Sequence, residues 1–247
     1  MQQIYIDLYR DANPFVTDAY DRVISKIPIM KAQQGYKLFT LSGCEPGVGT
    51  TTIAINIAAS LAAAGWNTLL VDADIRKGPQ AKRLNQGLTR GLSDYLTGRS
   101  EFSEIVCGTT CEYLNYIACG ERTESPSTLF NSVQFDRFIE HITEEYDYAI
   151  FDSPTQNAAV DAGIIARKTS GVILVAGYMQ TRMAQIRAAR RELARLNANV
   201  IGIMLNRVPR TKYQRYVGNY DYFARGDFIQ SRPNVKEQRE KQPAQGK

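Results

Sequence analysis

Three aspartates and one glycine-rich stretch carry the residue types in this chain that could do chemistry. Asp72 and Asp74 follow the apolar run 68–71, and Asp152 closes the apolar run 148–151. The stretch Ser42-Gly43-Cys44-Glu45-Pro46-Gly47-Val48-Gly49-Thr50-Thr51-Thr52 sits between an apolar run at 36–41 and a helical run at 51–64. Strand, glycine turn and helix form the setting of a phosphate-binding loop. Glycines let backbone N–H groups turn inward, and the helix N-terminus adds partial positive charge. Pro46, Gly47, Val48, Gly49, Thr50, Thr51 and Thr52 are therefore the expected phosphate cradle, with the Thr51 hydroxyl a Mg²⁺ ligand. Asp72 and Asp74, two residues apart after a strand, can hold Mg²⁺ through water and orient a hydroxyl for attack. Asp152 stands where a second Mg²⁺-shell carboxylate is expected.

One position departs from the strict pattern G-x-x-x-x-G-K-[ST]. That pattern needs glycine at position 44 and lysine at position 50, and the chain has Cys44 and Thr50. A lysine would place a full charge between the β- and γ-phosphates, an interaction of several kcal/mol in a partly dry site. Threonine offers a hydroxyl and no charge. Backbone amides and Mg²⁺ could still bind a nucleotide, while transfer should fall by about 10²-fold or more. Arg76 and Lys77 lie close enough in sequence to pair the acids or reach a phosphate. Lys77, or a partner's cation, could stand in for the missing charge.

These residues need elements to position them. The apolar periodicity predicts a helix at 18–31 that Pro28 bends or ends, a strand at 36–41, helix 51–64 closed by Gly65, and strand 68–71. Gly91-Leu-Ser-Asp-Tyr-Leu-Thr-Gly98 reads as a short helix with a serine N-cap and a closing glycine. Then follow a helix at 101–106, strand 113–118, helix 131–145, strand 148–152, helix 158–166, strand 172–176, helix 182–196 and strand 200–205. Alternation of this kind predicts an α/β fold, a mostly parallel, doubly wound P-loop NTPase sheet with helices on both faces. Ligands bind such sheets beyond the carboxyl ends of the strands, where the glycine loop, Asp72, Asp74 and Asp152 all fall. After Asn206 the regular pattern stops. The expected organisation is a polar leader at 1–14, a nucleotide-binding domain at 15–210 and a flexible basic tail at 211–247.

The 247 residues suffice for one large core, and the net charge is +5. Residues 207–247 hold ten Lys/Arg against four Asp/Glu, leaving a net of −1 for residues 1–206. The basic character belongs to the tail, which could touch nucleic acid, anionic lipid or an acidic partner, or simply be solvated. Cys107, Cys111 and Cys119 lack the spacing and histidines of a zinc site. Cys44, near a helix N-terminus, is the one thiol placed to favour a thiolate. His141 is the only histidine and has no identifiable nucleophile to serve. The N-terminus has no signal-peptide pattern, and the longest apolar stretch, 53–64, is too short to span a bilayer, so a cytoplasmic protein is expected. Tyr213, Tyr216, Tyr220 and Tyr222 crowd among polar residues and glycine. Tyrosines in an extended tail can enter a neighbour's site as phosphoacceptors, each phosphate adding about −1.5 to −2 charge.

Together these features resemble the bacterial tyrosine kinases (BY-kinases), cytoplasmic kinases of capsule and exopolysaccharide synthesis, over residues 15–222. Leu69-Leu-Val-Asp-Ala-Asp-Ile-Arg-Lys77 resembles that family's second Walker motif, and Tyr146-Asp-Tyr-Ala-Ile-Phe-Asp-Ser-Pro154 its Walker B strand. Gly91 to Gly98, Leu205-Asn206-Arg207 and the terminal tyrosines also match. The resemblance implies ATP and Mg²⁺ as cofactors, Gly47, Gly49 and Thr51 on phosphate and metal, Asp72 and Asp74 in metal binding and tyrosine activation, Asp152 on Mg²⁺, and Asn206 facing the adenine. It implies a membrane-embedded polysaccharide co-polymerase as activator, recruitment to the inner membrane face, and self-association with tails phosphorylated in trans. Nucleic acid and direct membrane insertion are not expected. Besides Thr50, the family's oligomerisation motif, an acid followed at three-residue steps by two arginines, falls on Asp18, Asp21 and Ile24. Three readings follow: a catalytically impaired regulatory member, an active autokinase with a substitute cation, and a partition- or septum-type ATPase switch that the tyrosine tail disfavours.

Overall fold

The computed structural model describes residues 3–6, 13–76, 84, 90–155 and 160–217. It contains an eight-stranded sheet of order β1-β4-β5-β3-β6-β2-β7-β8. The strands are β1 (Gln3–Ile4), β2 (Leu38–Gly43), β3 (Thr68–Asp72), β4 (Val106–Thr109), β5 (Leu114–Ile117), β6 (Tyr148–Asp152), β7 (Gly171–Gly177) and β8 (Val200–Asn206). All neighbours are parallel except β4 and β5. The central strands are buried on both sides, as their near-continuous apolar runs require.

Alternation divides those strands between two layers. Leu70, Tyr116, Tyr148 and Ile150 join one cluster with Ile53, Ile57 and Leu61 of helix α3 (Thr50–Ala63). Leu69, Val71, Ala149 and Phe151 join the other with Phe135, Phe138 and Ile142 of helix α7 (Val133–Glu145). Helix α3 is buried nearly all round, which explains why its sequence is apolar on every face. It lies between the sheet and helix α1 (Pro14–Ile24), whose Phe15 and Tyr20 are buried. The remaining helices are α2 (Ile27–Gln34), α4 (Leu92–Leu96), α5 (Phe102–Ile105), α6 (Pro126–Phe130), α8 (Asp161–Lys168), α9 (Met183–Arg195) and α10 (Arg210–Val217). The doubly wound α/β class expected from the sequence is therefore the observed one.

Several local expectations are corrected. Pro28 ends no helix: it occupies the first turn of α2, where its missing N–H costs nothing, and α1 stops at Ile24. The leader 1–14 supplies edge strand β1, and Ile4 and Ile6 are buried. Only 102–105 of the predicted helix 101–106 is helical, and β4 follows it at once. The cap of α4 is Gly91, not serine: Asp94 accepts the Gly91 N–H at 3.0 Å, and Ser93 Oγ donates to the Glu121 carbonyl at 2.8 Å. Regular structure does not stop at Asn206, since α10 follows.

The chain falls into two units, Met1–Val208 and Pro209–Lys247. In the second, α10 holds Tyr213 and Tyr216, the latter 84% exposed. Tyr220 and Tyr222 lie outside the described residues, as does Lys77. No helix among the described residues is long and apolar enough to cross a membrane.

Candidate functional site

The glycine loop runs from the end of β2 into α3. Gly47 and Gly49 have φ of +77° and +90°, a region that costs glycine little. Gly49 also admits no side chain, because a Cβ there would collide with Asn206 Nδ2. At Gly43 a Cβ would lie 2.8 Å from Thr50 Oγ1, so the strand's last residue must be glycine for α3 to start where it does. The first-turn amides of α3, at Thr50, Thr51 and Thr52, have no intrahelical acceptor and are available to an anion.

Register brings the carboxylates together. Asp72 on β3 and Asp152 on β6 are direct partners, and Asp152 also pairs with Leu41 on β2. The Asp152 carbonyl accepts the Ala73 N–H at 2.9 Å, and Asp72 Oδ1 accepts the Asp74 N–H at 3.1 Å. Asp72, Asp74 and Asp152 are all buried, at 4–5% exposure. Beside them opens a cleft of ≈ 420 Å³ lined by loop residues Pro46 to Thr52 except Val48, by Asp74 and Arg76, and by Asp152 to Thr155. The sequence-predicted acids and loop thus share one end of the sheet.

Several of the predicted residues have partners or surroundings that the sequence did not show. The Val48 side chain is fully buried in the core, and its carbonyl accepts from Asn206 Nδ2 at 2.7 Å. Asn206 Oδ1 accepts the Arg207 N–H at 2.8 Å, so this side-chain amide already holds the loop and keeps one donor and one acceptor site for a base. Arg76 does not pair the cleft acids: its Nε and Nη2 bind both oxygens of Asp161, which is buried at the start of α8. Cys44 is fully buried, and burial, then the neighbouring Glu45 charge, pushes its thiol up to about 11, so the thiolate expected there is disfavoured. Asp18 is engaged within its own helix by Arg22 at 2.8 Å.

The structure adds residues that sequence patterns did not single out. Tyr116 on β5 sits beside Leu70 in register and faces the same layer as Asp72. With Thr51, Asp72 and Asp152 it lines a void of ≈ 10 Å³ behind the cleft, about one water in size. Burial first, then the Asp72 charge, raises its phenol well above the ordinary value. Its only sequence signal is a tyrosine inside an apolar strand. Asp161, Thr181 and Gln185 were visible only as ordinary polar residues, and Arg207 only as the last residue of the Leu205-Asn206-Arg207 match.

The donor set fits magnesium and a polyphosphate. Among the described residues no three His, Cys, Asp or Glu side chains converge for a metal. A cation here would take the Thr51 hydroxyl, one or two of the carboxylates, and phosphate and water oxygens, the shared coordination that Mg²⁺ favours.

Residues 37–181 match the family described as AAA domain. The chain is 32% identical over 173 residues to the tyrosine-protein kinase CpsD of Streptococcus agalactiae serotype III (strain NEM316), covering 70% of this chain and 75% of that protein. It is 33% identical over 174 residues to CpsD of Streptococcus pneumoniae serotype 4, covering 70% and 76%. The crystal structure of the chimerical protein CapA2B2 superposes with a TM-score of 0.74 at 27% identity, covering 79% of this chain and 86% of that one.

Proposed function

We propose, for a chain that belongs to the bacterial tyrosine-protein kinase family, that it binds ATP and Mg²⁺ but transfers phosphate poorly, and that it regulates capsule or exopolysaccharide synthesis. The observation that carries this reading is the joining of a complete cradle and buried Asp72, Asp74 and Asp152 to a loop whose cation position is Thr50. In this reading the amides of 47–52 hold the phosphates, Thr51, Asp72 and Asp152 hold the metal, and Asp74 with Asp72 orients the incoming hydroxyl. Bound Mg-ATP supplies the transferable phosphoryl group and the divalent charge that offsets its oxygens. Arg76 lines the cleft, but its pairing with Asp161 through Nε and Nη2 makes it a weaker cation for phosphate than a lysine at position 50. The loss of this one charge removes transition-state stabilisation more than ground-state binding.

The protein is proposed to work at the inner membrane face, recruited by a membrane-embedded co-polymerase and able to self-associate. The phosphoacceptors on this reading are Tyr213, Tyr216, Tyr220 and Tyr222. Tyr213 and Tyr216 lie in α10, which would have to unwind locally to present an extended strand. Incubation of the full chain with Mg-ATP, read out by phosphotyrosine, tests the proposal. Little or no signal is expected. Strong autophosphorylation that vanishes in Asp72→Ala would establish an active autokinase instead.

A further inference from the structure

Side chains from the end of β8 hold the phosphate loop through its carbonyls. Arg207 Nη2 donates to the Gly47 carbonyl at 2.6 Å, and Asn206 Nδ2 donates to the Val48 carbonyl at 2.7 Å. The same guanidinium donates through Nη1 to Gln180 Oε1 at 2.7 Å, tying the end of β8 to the turn before α9. From that turn and α9, Thr181 Oγ1 and Gln185 Nε2 hold the two oxygens of Glu45 at 2.5 and 3.1 Å. Arg207 itself has φ +60°, a left-handed conformation that disfavours any residue with a Cβ. Asn206 Oδ1 fixes its N–H, and this turn is what aims the side chain at the loop.

Peptide geometry gives the grip its consequence. In a trans peptide the C=O of one residue and the N–H of the next point in opposite directions. A Gly47 carbonyl held by Arg207 fixes the Val48 N–H on the opposite side of that peptide, and a held Val48 carbonyl does the same for the Gly49 N–H. Glycines at 47 and 49 would otherwise let these peptides rotate.

We propose that Arg207 is the positioning residue of the phosphate loop, fixing the direction of the amides that bind phosphate in a loop without a lysine to gather the anion. This inference rests on the nucleotide-binding reading above, and its test separates the two. Arg207→Gly removes the guanidinium and suits the left-handed backbone, so the full chain should melt within about 2 °C of the wild type. Amide hydrogen exchange at 47–51 in the nucleotide-free protein should accelerate, while exchange in the core of α3 stays unchanged. Mg-ADP affinity should fall about tenfold, the loss expected for one charge-assisted hydrogen bond. Arg207→Lys, which keeps a cationic donor, should recover part of both effects. Unchanged exchange at 47–51 in Arg207→Gly would overturn the assignment. If the wild type binds no Mg-ADP, the nucleotide-binding reading fails, and the exchange measurement still decides the role of Arg207.

Discussion

Replacing Thr50 by lysine should restore the charge that the loop lacks. Thr50 is the first residue of α3, and its hydroxyl lies so close to Gly43 that no bulk fits toward β2. A longer side chain at 50 must leave along the ≈ 420 Å³ cleft, toward the place of the phosphates. An ammonium about 4 Å from one phosphate charge gains about 4 kcal/mol at an effective dielectric constant of about 20. Ordering the side chain costs up to about 2 kcal/mol. The net gain is about 2 kcal/mol, or roughly thirtyfold in Mg-ADP affinity. In the free protein the new charge opposes the helix dipole by about 0.3–1 kcal/mol. Asp74 and Asp152, which line the same cleft, offset that cost. Calorimetric titration of both proteins measures the affinities, and a phosphotyrosine assay should show faster transfer in Thr50→Lys. A folded Thr50→Lys protein with affinity within twofold of the wild type would refute the reasoning, since charge would not be what this loop is missing.

Two further outcomes follow from the core. Tyr148 is fully buried, and its hydroxyl is the one buried side-chain polar atom without a hydrogen-bond partner among the described residues. Tyr148→Phe should therefore stabilise the fold by about 1 kcal/mol, raising the melting temperature by about 2–4 °C, and a drop of that size would contradict the assignment. Cys44, buried with its thiol at about 11, should resist thiol reagents at pH 8 while half-buried Cys111 reacts first. The Cys44 thiolate fraction should become appreciable only as the pH approaches 11, and mass-spectrometric mapping of the modified cysteines reads the order directly.

The sheet and its chemical edge were legible because their signals are local. Asp72 and Asp152 each end a short apolar run, and a parallel register of such runs places their last residues side by side. The glycine loop was legible because positive φ and first-turn amides need a particular composition. Strand β1 was not, since two residues in a polar leader gain their place by pairing with β4 more than a hundred residues away. Strand β4 was hidden by the short helix that runs into it. Helix α10 has no buried residue and so no apolar stripe to read. The grip of Arg207 and Asn206 on the loop depends on where the end of β8 meets it, and no spacing in the sequence encodes that contact. Cys44 was misread because proximity to a helix N-terminus in sequence says nothing about burial, and burial decides its titration.

A nucleotide cradle that keeps its shape without its main charge should still bind. Titration of the full chain with ADP, with and without Mg²⁺, measures this most directly. Saturable binding with a Kd on the order of 10–100 μM in Mg²⁺, weakening when the metal is chelated or in Asp152→Ala, is the predicted result. Absence of saturable binding at millimolar Mg-ADP, in a protein that melts cooperatively, would contradict it.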